Sequence, residues 1–273
     1  MNLYADLVTL KANLGITDLD HDGELLRLLN AASRHIEQFK LAGRLFYVWE
    51  GVKYFDGAGR RLWLPDDLLS ASPTVQLDED GDATYEVTMA ATDYYSYPLN
   101  AYPKIWLEIN PQGDYGGFAP GINKGVKITG VWGWADSATP YETSGDTCSA
   151  DMTAAQTTVG VADGGNFAAG QTIRIESEQC YVESILGNTL TIQRGVNGTT
   201  AATHASGKTI YIYTYPQDIV QATLITAMRA WKRKDSAYAD VIGAPETGQI
   251  IMSKGIDPDT AALVAGYRRQ RYI

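Results

Sequence analysis

The chain has little of what builds secreted miniproteins, membrane spans or metal centres. Its two cysteines, Cys148 and Cys180, are too few and too isolated for a disulfide framework or a zinc site. No apolar run approaches the roughly 20 residues of a membrane-spanning helix. The segment from Asn2 to Leu14 is amphipathic and carries Asp6 before its only cation, Lys11, so it does not read as a signal peptide. A soluble protein made in a reducing cytoplasm is expected. Positive charge is scarce too: 22 Lys and Arg face 32 Asp and Glu, a net of −10. Phosphate neutralisation needs clustered cations, so general nucleic-acid binding is not expected. The three histidines, His21, His35 and His204, fall in no spacing that serves a nucleophile or a metal. No glycine loop of the phosphate-cradling kind is present. No pair of carboxylates stands out for glycoside chemistry, and the chain is expected not to be an enzyme.

What is present is an ordinary globular composition, 45% apolar and 20% charged, over 273 residues, enough for one large domain or two modest ones. Tyrosine at 17 and tryptophan at 6 outweigh phenylalanine at 5, a bias suited to half-wet contact surfaces. Charge is unevenly placed. Residues 1–228 carry 14 basic and 27 acidic groups, a net of −13, while residues 229–273 carry 8 and 5, a net of +3. A basic tail on an acidic body suggests a tail that docks where the body does not.

Leu3, Leu7, Leu10 and Leu14 repeat at helical spacing and stop at Gly15, and a second helix is predicted from Asp22 to about Leu41 with Leu25, Leu29, Ala32, Ile36 and Phe39 on its buried face. From Leu45 the period becomes two, with Phe46, Val48, Glu50, Val52 and Tyr54 on one side of a strand. Asp56-Gly57-Ala58-Gly59 then predicts a hairpin into Arg61–Leu64. Further strands are predicted at Tyr85–Met89, Ile105–Ile109 and Val126–Trp132. The connection from Asn110 to Asn123, with two prolines and four glycines, is long enough to be functional or mobile. Residues 136–156 have a linker's composition. Short strands follow at 157–161, 172–176, 180–185, 189–193 and 209–213, with Gly187-Asn188 as a hairpin turn. Helix returns at Pro216, with Arg229, Lys232, Arg233 and Lys234 at its C-terminal end, and Asp257-Pro258 opens a last short helix.

Three strings could carry function. Asp18-Leu19-Asp20-His21-Asp22-Gly23 matches the opening of an EF-hand loop, but its twelfth position is Leu29, so an acidic helix cap is the favoured reading. The run Asp93–Pro103, with Tyr94, Tyr95, Tyr97 and Tyr102, could stack sugars or a partner protein, or could cover a strand edge. Arg194–Gly207 is a long turn with glycines and threonines placed for local bonding.

The order and spacing of several motifs resemble the head–tail connector (adaptor) proteins of tailed bacteriophages. They are Leu7, Leu10 and Leu14 before Gly15-Ile16-Thr17-Asp18, the helix Leu25–Phe39, the strand ending Tyr54-Phe55-Asp56-Gly57, Val126–Trp134, Pro216-Gln217-Asp218-Ile219, and the closing Gly255–Arg269. The resemblance covers roughly residues 3–64, 125–134 and 216–271. It departs over 136–214, which resembles small β units of phage tail and baseplate proteins. The fold class implied is α+β: a mainly α-helical connector core with a β hairpin or sheet region, residues 1–135 plus 215–273, and an inserted all-β module at 136–214. The function implied is a virion structural protein, made in the host bacterial cytoplasm and located in the neck. It would form a homo-oligomeric ring, typically a dodecamer, that docks on the portal protein, meets a tail or neck protein, and surrounds DNA that passes without sequence-specific binding during ejection. No cofactor, metal or membrane is implied. A portal-docking element is expected at Leu263, Tyr267, Arg268, Arg269, Arg271 and Tyr272, and a lumen or inter-subunit loop at Gly113, Tyr115, Gly116 and Phe118. The alternative reading is a glycan- or receptor-binding module of the virion tail.

Overall fold

The structure, a computed structural model, describes residues 2–38, 40–235, 241–242, 250–251 and 256–269. Phe39, Arg271 and Tyr272 lie outside the described residues. The chain divides into two compact units. One comprises Met1–Gly43, Tyr141–Val196 and Thr200–Ile273; the other comprises Arg44–Pro140 and Asn197–Thr199.

Among the described residues, the first unit joins four helices to a sheet. They are α1 (Leu7–Leu14), α2 (Asp22–Ile36), α3 (Gln217–Asp235) and α4 (Pro258–Ala265). Asp6 caps α1 by accepting the Thr9 N–H at 2.8 Å, and Gly15 ends it at φ 69°, the left-handed cap that glycine takes without strain. Leu10 of α1, Leu25 and Leu29 of α2, and Leu224 and Ala227 of α3 form one buried cluster with Tyr181 and Val196. Lys234 of α3 pairs with Glu24 of α2 at 2.9 Å, and Arg229 with Asp257, the cap of α4, at 2.9 Å. Two members of the basic α3 cluster are thereby paired within the unit.

The sheet of this unit has six antiparallel strands: β8 (Tyr141–Thr147), β9 (Thr158–Gly160), β10 (Thr172–Ile175), β11 (Glu178–Leu186), β12 (Thr189–Gln193) and β13 (Thr209–Tyr213). Their order is β8-β13-β10-β11-β12-β9. Gly187-Asn188 closes β11 on β12 with Leu186 opposite Thr189, as the turn signal predicts. The sheet has its own core, built on Ile173, Ile175, Val182, Leu190, Ile192 and Ile210. Part of the expected linker is strand β8, whose Ser144 and Asp146 satisfy local backbone groups: Ser144 Oγ donates to Ile210 O at 2.7 Å, and Asp146 accepts from Thr147, Ala162 and Asp163.

The second unit is a seven-stranded sheet: β1 (Trp49–Phe55), β2 (Arg61–Leu68), β3 (Thr74–Leu77), β4 (Val87–Thr88), β5 (Tyr94–Tyr97), β6 (Lys104–Ile109) and β7 (Val126–Trp132). The order is β4-β3-β7-β2-β6-β5, with β1 also on β7. Alternation buries Leu62, Leu64, Leu107, Val126, Ile128 and Trp132 on one face. A two-stranded pair, β14 (Val241–Ile242) and β15 (Ile250–Ile251), completes the described strands.

Three expectations are corrected here. The core is not mainly helical: among the described residues, four helices of 8, 15, 19 and 8 residues accompany sheets of seven, six and two strands, and the protein is mainly β. The hairpin at Asp56–Gly59 does not form, because β1 pairs with β7 from Trp49↔Trp132 to Phe55↔Val126, while β2 pairs with β6. The inward face of β1 is also the opposite one. Val52 and Tyr54 are exposed and Phe55 is buried, while Lys53 pairs with Asp66 at 2.5 Å and lies 4.9 Å from the Trp132 ring centroid.

Candidate interaction surfaces

The tyrosine run resolves into a strand and a closed loop. Tyr94 points inward; burial raises its phenol to about 12, and its hydroxyl donates to Pro73 O. The loop after β5 is tied by buried Lys104, whose ammonium donates to Pro98 O at 2.6 Å, Leu99 O at 3.1 Å and Ala101 O at 3.0 Å. Burial lowers the pKa of that lysine. Tyr95 and Tyr97 fall on the outer face, which they share with Trp63, Trp106, Arg61 and Glu108. Register sets them in two rows across β2, β6 and β5: Arg61, Glu108, Tyr95 and Trp63, Trp106, Tyr97. Tyr97 stacks on Trp106 at 5.2 Å and 7°, Trp63 meets Trp106 at 5.0 Å, and Arg61, paired with Glu108 at 2.9 Å, lies over both indoles at 5.7 and 5.4 Å. Trp63 and Tyr95 each remain 42% exposed. Aromatic and arginine side chains gathered in this way are what binding hot spots are made of. The sequence supplied Tyr95 and Tyr97; Trp63 and Trp106 were missed, because only strand order brings them alongside.

The long connection is held firmly at one end. Ala58 and Phe118 exchange backbone bonds at 2.7 and 2.8 Å, and the Gly57 N–H donates to Ile122 O at 2.7 Å. A Cβ on Gly57 would sit 1.7 Å from Ala119 O, so only glycine allows that approach. Phe118 is wholly buried in the sheet core, and its side chain presents nothing to a lumen or a neighbour. Gly116 is exposed, while Gly113 and Tyr115 are half-buried; burial foremost, with acidic neighbours, raises the Tyr115 phenol.

At the C-terminus, Leu263 and Tyr267 are half-buried, and Thr260 and Val264 fill the buried positions of α4. The Tyr267 hydroxyl donates to Asp218 Oδ2 at 3.3 Å, and the Arg269 N–H to Ala42 O at 2.8 Å. Arg268 is exposed.

The Arg194–Gly207 turn is organised around Glu178, which has no exposed side-chain surface. Arg194 donates from Nε to Oε1 at 2.6 Å and from Nη2 to Oε2 at 2.7 Å. The N–H groups of Gly195 and Ala202 add bonds at 3.0 and 2.9 Å. His204 sets Nε2 2.9 Å from Glu178 and Nδ1 2.8 Å from Glu176. Burial opposes the charged form of Glu178, but the Arg194 fork, the Ala202 N–H, His204 and the Gly195 N–H outweigh it and hold the carboxyl at about 2. The arrangement is structural: it fixes a turn and uses both histidine nitrogens. Burial and the same carboxylate raise the Cys180 thiol, which suits an inert buried cysteine.

Two acidic turns could be asked to hold a metal. In Asp18–Gly23 the Lys11 ammonium already sits 2.5 Å from both Asp18 O and Asp22 Oδ1. The carboxylates of Asp78, Asp80, Asp82 and Glu86 come within 4.8 Å of one another, an oxygen set of the kind hard cations take. The Asp78 carboxylate there accepts the Gly81 and Ala83 N–H groups at 2.6 and 2.9 Å. Burial resists its charged form and those N–H bonds prevail, lowering its pKa. The spacing Asp78-Glu79-Asp80-Gly81-Asp82 is the sequence signal for this turn.

No protein-family model and no curated protein matches the chain. Among solved structures it is similar to a chain described as "Neck of empty GTA particle computed with C6 symmetry", at a TM-score of 0.42 and 13% identity, over 99% of this chain and 92% of that one.

Proposed function

We propose that the chain is a virion structural protein of the neck, a head–tail connector that forms a ring around the DNA channel, docks on the portal vertex and joins capsid to tail. The sequence motifs support this reading through their order, and one structural observation carries it further. Motif segments far apart in sequence become partners: Trp49–Phe55 pairs residue for residue with Val126–Trp132. Within the other unit, likewise, Leu25 and Leu29 share a core with Leu224 and Ala227. A ring needs two different faces per subunit meeting head to tail. The exposed aromatic rows and the C-terminal segment at Leu263, Tyr267, Arg268 and Arg269 are suited to partner contacts, and Tyr115 and Gly116 to the lumen or a neighbour. The role is structural, with no reaction to catalyse. The 136–214 segment is an inserted module. The test is light scattering of the purified protein with and without its portal protein. Rings or portal-dependent assembly are expected.

The second reading, a glycan- or receptor-binding module, draws on the exposed Trp63, Trp106, Tyr97 and Tyr95 surface. It expects a monomer that binds cell-surface glycan and ignores the portal.

A further inference from the structure

A cleft of about 280 Å³ lies in the first unit, walled by the segment before α1, by β8 and β13, and by the start of α3. Its charged groups have one sign. Asp6 and Glu142 line it, with the buried Tyr4 and Tyr213 and the half-buried Tyr215, and no Lys, Arg or His is among the lining residues. Asp6 uses Oδ1 to cap α1, and its Oδ2 has no partner among the described residues. Glu142 is exposed and makes no ion pair among them. Arg34, 5.7 Å from the Tyr4 ring, is not part of the lining and is neutralised by Glu37 at 2.6 Å. The half-buried Ile212 and Val220 supply apolar wall.

We propose that this cleft binds a small organic cation, a primary alkylammonium of the diamine class. An ammonium gains charge-assisted hydrogen bonds from two carboxylates and attraction from the half-buried Tyr215 ring. A short methylene chain suits the apolar wall, and a cleft near the small end of ligand-site volumes suits a ligand of that length. A metal ion would leave the tyrosine and aliphatic walls unused, and an anion would face two carboxylates.

The test uses the full chain and 1,4-diaminobutane, with 1,4-butanediol as its uncharged counterpart, in isothermal titration and thermal melts. The diamine is expected to bind and to raise the melting midpoint, as any ligand selective for the native state does. The diol is expected to do neither. The pair Asp6→Asn and Glu142→Gln should weaken diamine binding at least about tenfold, because charge-assisted bonds are roughly twice as strong as neutral ones. Asparagine caps a helix as well as aspartate, so this variant should keep its fold. A control pair, Glu79→Gln and Glu183→Gln, removes the same charge at two exposed positions elsewhere and should leave binding unchanged. No binding, equal binding of the diol, or an equal loss in the control pair would overturn the proposal.

Discussion

Two glycine-bearing connections of similar length are fixed by opposite means. The turn from Arg194 to Gly207 is organised by a buried carboxylate and the guanidinium, imidazole and backbone N–H groups around it, whereas Asn110 to Asn123 is held by backbone bonds at Gly57 and Ala58 and by the buried Phe118 ring. The difference follows from what each strand end offers. Glu178 opens β11 inside a small core, where a lone charge would be costly, so each of its oxygens must be paired. The other connection lies beside a sheet core able to absorb a whole aromatic ring, so apolar burial and a close glycine approach suffice.

The largest test removes the charge. Glu178→Ala leaves the buried Arg194 charge without its carboxylate and His204 Nε2 without its partner, and should cost about 3–5 kcal/mol, read from denaturant melts. Amide exchange at Gly195 and Ala202 should quicken, while Gly57, Ala58 and Phe118 keep their protection. If both connections loosen together, the contrast between them is false. Phe118→Ala is the mirror experiment, with an expected loss of about 3 kcal/mol from the sheet core and no change at Ala202.

Acid separates the two more gently. The folded pKa of Glu178, about 2, lies below its ordinary 4.5. Its contribution is therefore complete above pH 4.5 and is lost as pH falls toward about 2. Glu178→Gln should flatten that acid limb, and Phe118→Ala should leave its slope as in the parent. An unchanged acid limb in Glu178→Gln would show that other carboxylates govern it.

Deleting residues 137–213 behind a short glycine linker tests the inserted-module proposal. Helical circular dichroism should persist, with a lowered midpoint because Tyr181 and Val196 leave the helical cluster. Loss of cooperative unfolding would show that the segment and the helices share one core. The smallest effect belongs to Tyr267→Phe, which gives up one exposed hydrogen bond to Asp218 and should shift stability by less than about 0.5 kcal/mol.

The sequence was legible where local chemistry decides the outcome. Gly15 ends α1 in the left-handed region, Pro216 immediately precedes α3, and Gly187-Asn188 turns β11 into β12. It was illegible where partners decide. Asp56–Gly59 has the composition of a hairpin turn, yet β7 takes β1 as its partner and leaves that turn pinned to Phe118 and Ile122. Glu50 already marked the supposed inner face of β1 as doubtful; the true one holds Lys53, ion-paired beside Trp132. Strand β8 shows no clean apolar alternation because it is an edge strand, paired only with β13, and its polar side chains bond locally. Of the candidate surfaces, the tyrosines could be read from the chain, but the indoles beside them required the strand order.

The central claim is ring formation at a portal. Mass photometry of the full chain, alone and mixed with the purified portal protein, tests it directly. The account predicts a closed oligomer of this chain, formed alone or when portal is added. A chain that stays monomeric at all concentrations and does not associate with the portal would contradict it.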